Sequence, residues 1–237
     1  MTEVFKRFII ISDARTGGTH TISTLNNHPN VKCVSEPFPH LELDTGEKQD
    51  DWMKTFTDPE TNLEKGIRAA GLRTKVEQIA DRSKFKEFVA NYNVIIFHLQ
   101  RKNVVKKAIS RIRAIALYKE TKDYNVRTGN KPLPPTNIPV DRLLKEVHRL
   151  EELDRLEKEF IDSLEIKHYN TFYQNIIDGS DEYFRSIFAV LQVNKDHIPS
   201  SNVVKNTSDD LSEIISNYHK LWQQLEGTPY RRMLSEK

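Results

Sequence analysis

The chain has 237 residues, of which 37% are hydrophobic and 30% are charged, with 36 basic and 34 acidic side chains. This balance excludes a disordered tail and predicts one globular domain over residues 1–237. The single cysteine, Cys33, excludes an internal disulfide framework and a zinc ribbon. No apolar run approaches the roughly 20 residues that a membrane span needs, so we expect a cytoplasmic protein without a transmembrane segment.

The beginning of the chain predicts a strand, a glycine turn, a helix and a second strand. Residues 4–12 are a short β-branched run that stops at a glycine turn, and residues 19–27 have helical spacing. Residues 31–35 are a second short strand candidate. This order is the βαβ plan of a parallel sheet.

The later elements are predicted from the spacing of apolar residues and from turn residues. In chain order they are an irregular region (37–64), mixed helix and turn (75–91), a strand (93–99), a helix from 103, a long loop (121–139), the longest helix (140–164), a strand (165–169) and two amphipathic helices (181–191 and 211–225). The run at 93–99 is apolar apart from Asn93 and His98, which is typical of a strand buried on both faces. The predicted class is therefore α/β, a single domain with a central parallel sheet flanked by helices.

The first loop has the composition of an anion site. Its residues are Arg15, Thr16, Gly17, Gly18, Thr19 and His20. A glycine turn between a buried strand and a helix exposes backbone N–H groups, to which the arginine and the two threonine hydroxyls add donors. The alternative is an ordinary strand-to-helix turn. The spacing fits neither G-x-x-x-x-G-K-[ST] nor G-x-G-x-x-G, which argues against a magnesium-dependent NTPase.

Basic residues follow the clearest strand. A parallel sheet binds its ligand at the carboxyl ends of its strands, so we expect Arg101 and Lys102 to emerge beside the first loop. Ser110 lies further along the predicted helix and is expected to face the same anion. Three cations of this helix are interpreted as a solvated basic face, which leaves a binder of nucleic acid or anionic sugar as an open alternative. These cations are Lys106, Lys107 and Arg113.

Together the two segments resemble the sulfotransferases that use 3′-phosphoadenosine-5′-phosphosulfate (PAPS). The first resembles the 5′-phosphosulfate loop of that family. The second resembles its 3′-phosphate motif, in which a basic residue precedes Asn or Asp and a serine follows eight residues on, as Lys102, Asn103 and Ser110 do here. The family usually has arginine at the basic position, where this chain has Lys102. Because Arg101 directly precedes Lys102, the question of which of the two binds the 3′-phosphate stays open.

Further segments resemble one group of that family. Ser35-Glu36-Pro37-Phe38 is similar to a segment of bacterial carbohydrate sulfotransferases of the nodulation and lipopolysaccharide types. Residues 204–208 and 227–230 are similar to the C-terminal pattern of that group. The resemblance implies a P-loop-NTPase-like sulfotransferase fold, PAPS as donor, PAP (adenosine 3′,5′-bisphosphate) as product and no metal. It also implies a hydroxyl acceptor on a carbohydrate or glycolipid and no nucleic-acid partner.

The resemblance also implies roles for individual residues. Glu36 is expected to act as general base, with a structural carboxylate as the alternative, and Arg15 to stabilise the leaving phosphate. His20 and His98 compete for the role of base, although a histidine inside an apolar strand is more often a satisfied core residue. Tyr169 is expected at the adenine pocket or in the core.

Two residues near the C-terminal end complete the expected nucleotide contacts. Lys205 and Asn206 resemble a second contact to the nucleotide, and an exposed turn is the alternative. The competing function is a kinase-like, nucleotide-dependent phosphotransferase on a related fold. An exposed apolar stripe on the longest helix leaves a homodimer open.

Overall fold

The computed structural model describes residues 4–124, 133–201, 208 and 210–236. The chain divides into two compact units, Met1–Gln100 with Glu157–Asn202 and Arg101–Leu156 with Val203–Lys237. The first unit contains the sheet, and the described elements of the second are helical. The assignment of residues 1–237 to one domain stays a prediction.

The sheet of the first unit has five parallel strands in the order β2-β3-β1-β4-β5. They are β1 (Lys6–Ile11), β2 (Val31–Ser35), β3 (Ala69–Thr74), β4 (Ile95–Gln100) and β5 (His168–Phe172). The central position of β1 means that the loop after it opens at the middle of the carboxyl edge. This loop connects a strand to the helix that follows it, as a P-loop does.

The helices of the described chain differ widely in length. They are α1 (Gly18–Asn26), α2 (Pro37–His40), α3 (Gly46–Phe56), α4 (Pro59–Leu63), α5 (Arg82–Asn91), α6 (Val104–Thr121), α7 (Val140–Ser163), α8 (Tyr173–Val190), α9 (Tyr218–Gln224) and α10 (Pro229–Ser235). Helix α7 begins in the second unit and ends in the first. Within the described ranges, no helix is long and apolar enough to cross a membrane.

Alternate residues of β1 serve two hydrophobic cores, one on each face of the sheet. Phe8 and Ile10 pack with side chains of α1 and α8. Ile9 and Ile11 pack with side chains of α3, α5 and the last turns of α7. Each such side chain, when fully buried, contributes about 1.5–3 kcal/mol. The predicted α/β class, with a central parallel sheet flanked by helices, is confirmed.

Strand β3 was not predicted, and it changes the sheet from four strands to five. Its sequence, Ala-Ala-Gly-Leu-Arg-Thr, has little of the β-branched and aromatic character that marks strands. It forms because it pairs with β1 on one side and β2 on the other, and all six of its residues are buried. The prediction of an irregular region at 37–64 was also wrong, because this region contains α2, α3 and α4.

The second unit has its own core between α6, the first turns of α7, α9 and α10. Leu143, Val147 and Leu150 of α7 are fully buried in it. The apolar stripe on this part of α7 is therefore buried, not exposed as the sequence predicted. The homodimer stays a prediction, and the stripe no longer supports it. Residues 125–132 of the long predicted loop lie outside the described residues.

Candidate functional site

The loop after β1 has the backbone conformation of an anion-binding turn. Arg15 and Gly17 have positive φ angles of 66° and 91°, and Thr16 lies between them. Residues in the left-handed region turn successive N–H groups toward one side of such a loop. Gly17 is suited to its conformation because it has no Cβ atom.

Thr16 serves the loop rather than a ligand. Its hydroxyl donates to the carbonyl of Asp13 at 2.8 Å, and the residue is 1% exposed. The sequence predicted this hydroxyl as a donor for anion oxygens, but its hydrogen atom is already used to hold the turn. The hydroxyl of Thr19 differs, because Thr19 is exposed in the first turn of α1.

Helix α1 begins without a side-chain cap at Gly17. By contrast, Asp81 caps α5 and Asn103 caps α6 by accepting hydrogen bonds from first-turn N–H groups. The first N–H groups of a helix have no partner within the helix and attract anions through the helix dipole. The start of α1 is therefore suited to an anion, with Arg15 partly buried in the same loop, and the anion site stays a prediction.

Arg73 of β3 lies beneath this loop, with 4% exposure. Its Nε donates to the Ser12 hydroxyl at 2.7 Å, and its Nη2 donates to the Asp13 carbonyl at 3.0 Å. Its Nη1 donates to the Ser35 hydroxyl at 3.3 Å and to Glu36 Oε1 at 2.6 Å. One guanidinium thus joins the carboxyl ends of three strands.

Glu36 follows β2 and is held by three side chains. Besides the bond from Arg73, its Oε2 accepts from Gln78 at 2.6 Å and lies 3.1 Å from the ammonium of Lys75. Burial raises the pKa of Glu36, but the charges of Arg73 and Lys75 and the hydrogen bonds from Gln78 and Lys75 outweigh it and lower the pKa to about 2. The carboxylate is therefore ionised at neutral pH.

The backbone of Glu36 is also constrained. Its φ and ψ angles are 50° and 52°, a left-handed conformation that costs a residue with a side chain roughly 1–2 kcal/mol. Its N–H donates to the Arg73 carbonyl at 2.7 Å, which holds the residue in place. Such strain is often found at functional sites, and here it directs the carboxylate toward Arg73 and Lys75.

The predicted 3′-phosphate residues follow β4 in the chain and belong to the second unit. Arg101 is partly buried and Lys102 is exposed, directly after the strand. Asn103 caps α6, accepting from the Lys106 N–H at 2.8 Å and donating to the Met233 carbonyl at 2.7 Å. Ser110 lies within α6 and is 3% exposed. The role of these residues in binding a 3′-phosphate stays a prediction.

The solvated basic face predicted on α6 is wrong. Lys106, Lys107 and Arg113 are 7%, 0% and 5% exposed. The ammonium of Lys107 pairs with Asp154 at 2.5 Å. Arg113 donates to the carbonyls of Leu133, Pro134 and Ile214 and to the hydroxyl of Thr136. These cations stabilise the second unit, and the nucleic-acid alternative loses the surface on which it depended.

The two histidines that compete with Glu36 for the role of base differ in their surroundings. His98 is 3% exposed, its Nε2 lies 2.9 Å from Glu157 and its Nδ1 lies 3.0 Å from the amide nitrogen of Gln100. It is the satisfied core histidine that the sequence favours. His20 lies in the first turn of α1 with its ring 5.8 Å from that of Phe184, and burial lowers its pKa.

Tyr169 lies away from the carboxyl edge. It is the second residue of β5, aligned with Phe97, and the two ring centroids are 5.6 Å apart. This position fits core packing, the alternative to a place in an adenine pocket. Tyr173, just after β5, is the tyrosine at the edge, because an ideal Cβ atom on Gly17 would lie 2.8 Å from its ring. The other predicted nucleotide contacts, Lys205 and Asn206, lie outside the described residues.

Arg73, Lys75 and Gln78 are the site residues that sequence reasoning missed. They lie on β3 and in the turn after it, and β3 itself was not predicted. The available signal was a lone arginine within an otherwise uncharged run at 69–74. Among the described residues, no group of three or more His, Cys, Asp or Glu side chains is arranged to hold a metal ion.

No protein-family model matches the sequence, and no curated protein does. Among solved structures, the chain is similar to a sulfotransferase from Alicyclobacillus acidocaldarius, with 16% identity, a TM-score of 0.47 and coverage of 97% of this chain and 94% of that one. It is also similar to the sulfotransferase domain of the olefin synthase from Synechococcus PCC 7002, with 14% identity, a TM-score of 0.45 and coverage of 99% and 88%. Likeness at this level is too weak to carry a function, so the proposal below rests on the residues and geometry of this chain.

Proposed function

We propose that this protein is a sulfotransferase that moves a sulfuryl group from PAPS to a hydroxyl of a carbohydrate or glycolipid acceptor. The observation that carries the proposal is the loop after β1, where an uncapped helix N-terminus lies above a buried guanidinium and beside an ionised carboxylate. Thr19 and His20 follow Gly18 at the place where a phosphate-binding P-loop has lysine and Ser or Thr.

The donor set fits the phosphosulfate end of the nucleotide. The first N–H groups of α1, the guanidinium of Arg15 and the exposed hydroxyl of Thr19 are hydrogen-bond donors, which suits phosphate and sulfate oxygens. Arg73 adds positive charge below the loop. The resemblance assigns the 3′-phosphate to Arg101 or Lys102 with Ser110, and these assignments rest on it alone.

The reaction requires in-line alignment and dispersal of the charge on the leaving group. The acceptor oxygen forms a bond to sulfur while the bond between sulfur and the bridging phosphate oxygen breaks. The acceptor proton is given up to a base, and PAP leaves with the bonding electron pair. The N–H groups of α1 and Arg15 stabilise the charge that develops on its 5′-phosphate.

Glu36 is the proposed base. With a pKa of about 2 it is charged throughout the neutral range, but it is a weak base for a free alcohol. The acceptor hydroxyl becomes acidic only as its bond to sulfur forms, so a charged carboxylate nearby is more important than a high pKa. We therefore expect its contribution to lie near the low end of the usual range of about 10²–10⁴-fold.

Calorimetry with PAP tests the nucleotide class. We expect PAP to bind without magnesium and adenosine 5′-monophosphate, which lacks the 3′-phosphate, to bind more weakly. Magnesium-ATP serves as the comparison for the kinase-like phosphotransferase. A clear preference for magnesium-ATP over PAP would sink the sulfotransferase proposal.

Turnover of Glu36→Gln tests the base. We expect this variant to bind PAP no more weakly than the wild type and to lose about 100-fold or more in turnover. Glu77→Gln is a matched control, because Glu77 also lies near Lys75, at 3.8 Å, but is 57% exposed. Wild-type turnover in Glu36→Gln would exclude Glu36 as the base.

A further inference from the structure

The guanidinium of Arg73 lies directly against Gly18, the first residue of α1. An ideal Cβ atom on Gly18 would overlap Nε of Arg73 and lie 2.8 Å from its Cδ and Cζ. Gly18 is helical and is not among the glycines with positive φ. Its backbone therefore does not require glycine, and the reason for a glycine at this position is space.

Arg73 cannot move aside without losing its partners. Its five hydrogen bonds reach the hydroxyl and carbonyl of Ser12, the carbonyl of Asp13, the hydroxyl of Ser35 and the carboxylate of Glu36. The residue is 4% exposed, so a displaced guanidinium would leave a charged group without these acceptors in the interior.

These bonds connect two parts of the proposed site that are distant in sequence. Ser12 and Asp13 begin the loop that binds the donor, and Glu36, the proposed base, follows β2. Arg73 belongs to β3, which lies between β1 and β2 in the sheet. Lys75 differs from Arg73, because its described ion pairs are with Glu36 and Glu77 and none reaches the loop.

We propose that Arg73 is a positioning residue that fixes the donor loop and Glu36 relative to each other, and that Gly18 provides the space for its guanidinium. This inference rests on the proposed function, because the alignment matters only if the loop and Glu36 act on one donor and acceptor. The five bonds hold the loop and the carboxylate in one arrangement, which is the preorganisation that group transfer requires.

A double-mutant cycle tests the contact itself, without any assumption about function. Gly18→Ala should lower the urea midpoint of unfolding in the wild-type background. In an Arg73→Ala background the same change should have little effect, because the three atoms nearest to the added Cβ all belong to Arg73. Strict additivity of the two substitutions would overturn the inference, because residues in contact are expected to couple.

Arg73→Lys tests positioning in a variant that keeps the charge. Lysine has a single nitrogen, whereas the guanidinium of Arg73 uses separate nitrogens to reach the loop and the carboxylate at the same time. Lysine therefore does not replace it. We expect turnover to fall by about tenfold or more and PAP affinity to fall by a similar factor. If a folded Arg73→Lys protein has the turnover and the PAP affinity of the wild type, the positioning role is overturned.

Lys75→Met is the matched control, because it also removes a positive charge from Glu36 but no contact from the loop. We expect the acidic limb of the pH–rate profile to move to higher pH in Lys75→Met and Arg73→Ala alike, and PAP affinity to fall further in the Arg73 variants than in Lys75→Met. Equal losses of affinity in the two would overturn the inference. If the wild type binds no PAP, the proposed function fails and the positioning role with it, while the cycle still decides the contact.

Discussion

Protonation of Glu36 should remove a measurable part of the stability of the first unit. Burial raises the pKa of Glu36, but the charges of Arg73 and Lys75 and the hydrogen bonds from Gln78 and Lys75 lower it overall, from 4.5 to about 2. Because the pKa is lower in the folded state, the contribution to stability is complete above pH 4.5 and is lost as the pH falls toward about 2. At about 1.4 kcal/mol per pH unit, this difference corresponds to about 3 kcal/mol.

The assay is urea unfolding of the wild type and of Glu36→Gln at a series of pH values from 7 to 2.5. At neutral pH the variant also leaves the charge of Arg73 without its carboxylate, which adds a cost of its own. The strength of the ion pairs is therefore measured by how the difference in free energy of unfolding between wild type and variant changes with pH. The value of this difference at a single pH does not measure it. We expect the difference to shrink by about 2 kcal/mol or more over this range, because the last part of the loss lies below pH 2.5.

Glu77→Gln controls for general effects of acid, because Glu77 is 57% exposed and its nearest described cation is 3.8 Å away. The difference in free energy of unfolding between Glu77→Gln and the wild type should change little with pH. If the two curves for wild type and Glu36→Gln run parallel from pH 7 to 2.5, the carboxylate is not held ionised by Arg73 and Lys75, and the electrostatic account of the site is refuted.

Three further predictions concern the loop, the 3′-phosphate residues and the second unit. Gly17→Ala should lower the free energy of unfolding by about 1 kcal/mol or more, measured in urea, because its φ is 91° and an added Cβ would lie 2.8 Å from the Tyr173 ring. Arg101→Ala and Lys102→Ala should differ in PAP affinity by calorimetry, and equal, negligible losses would show that neither binds the 3′-phosphate. Arg113→Met should destabilise the protein in urea by about 2 kcal/mol or more through the loss of buried charge-assisted hydrogen bonds, and an unchanged midpoint would contradict the structural role.

The sequence predicts the parts of the site that depend on neighbouring residues. The glycine turn after β1 is defined by a short apolar run, two glycines and a helix within residues 4–27, and the structure has these elements in that order. Glu36 was found through a resemblance at 35–38, and its position directly after β2 follows from the strand at 31–35. Local patterns of this kind carry their own physical explanation.

The parts that the sequence does not predict depend on contacts between distant residues. Arg73 reaches the hydroxyl of Ser12 across 61 residues and the carboxylate of Glu36 across 37. The buried position of Lys107 depends on Asp154, which is 47 residues away. Nothing in the local spacing of these residues indicates a partner, and a charged side chain is exposed in most proteins. A buried charge becomes predictable only when the strand order is known.

Without the two cations, the negative charge of Glu36 would repel the negatively charged donor of the proposed reaction. A carboxylate beside an anion-binding loop repels the anion, and the interaction strengthens as water is excluded. Arg73 and Lys75 together place two positive charges against the single negative charge of Glu36. The two cations offset the charge of Glu36, so the cluster can hold the proposed base in its ionised form with less repulsion of a phosphosulfate. This balance explains why the proposed base has so low a pKa. Of the two described cations of the cluster, Arg73 alone contacts both the loop and Glu36. It is therefore necessary both for binding the donor and for positioning the base in the proposed reaction.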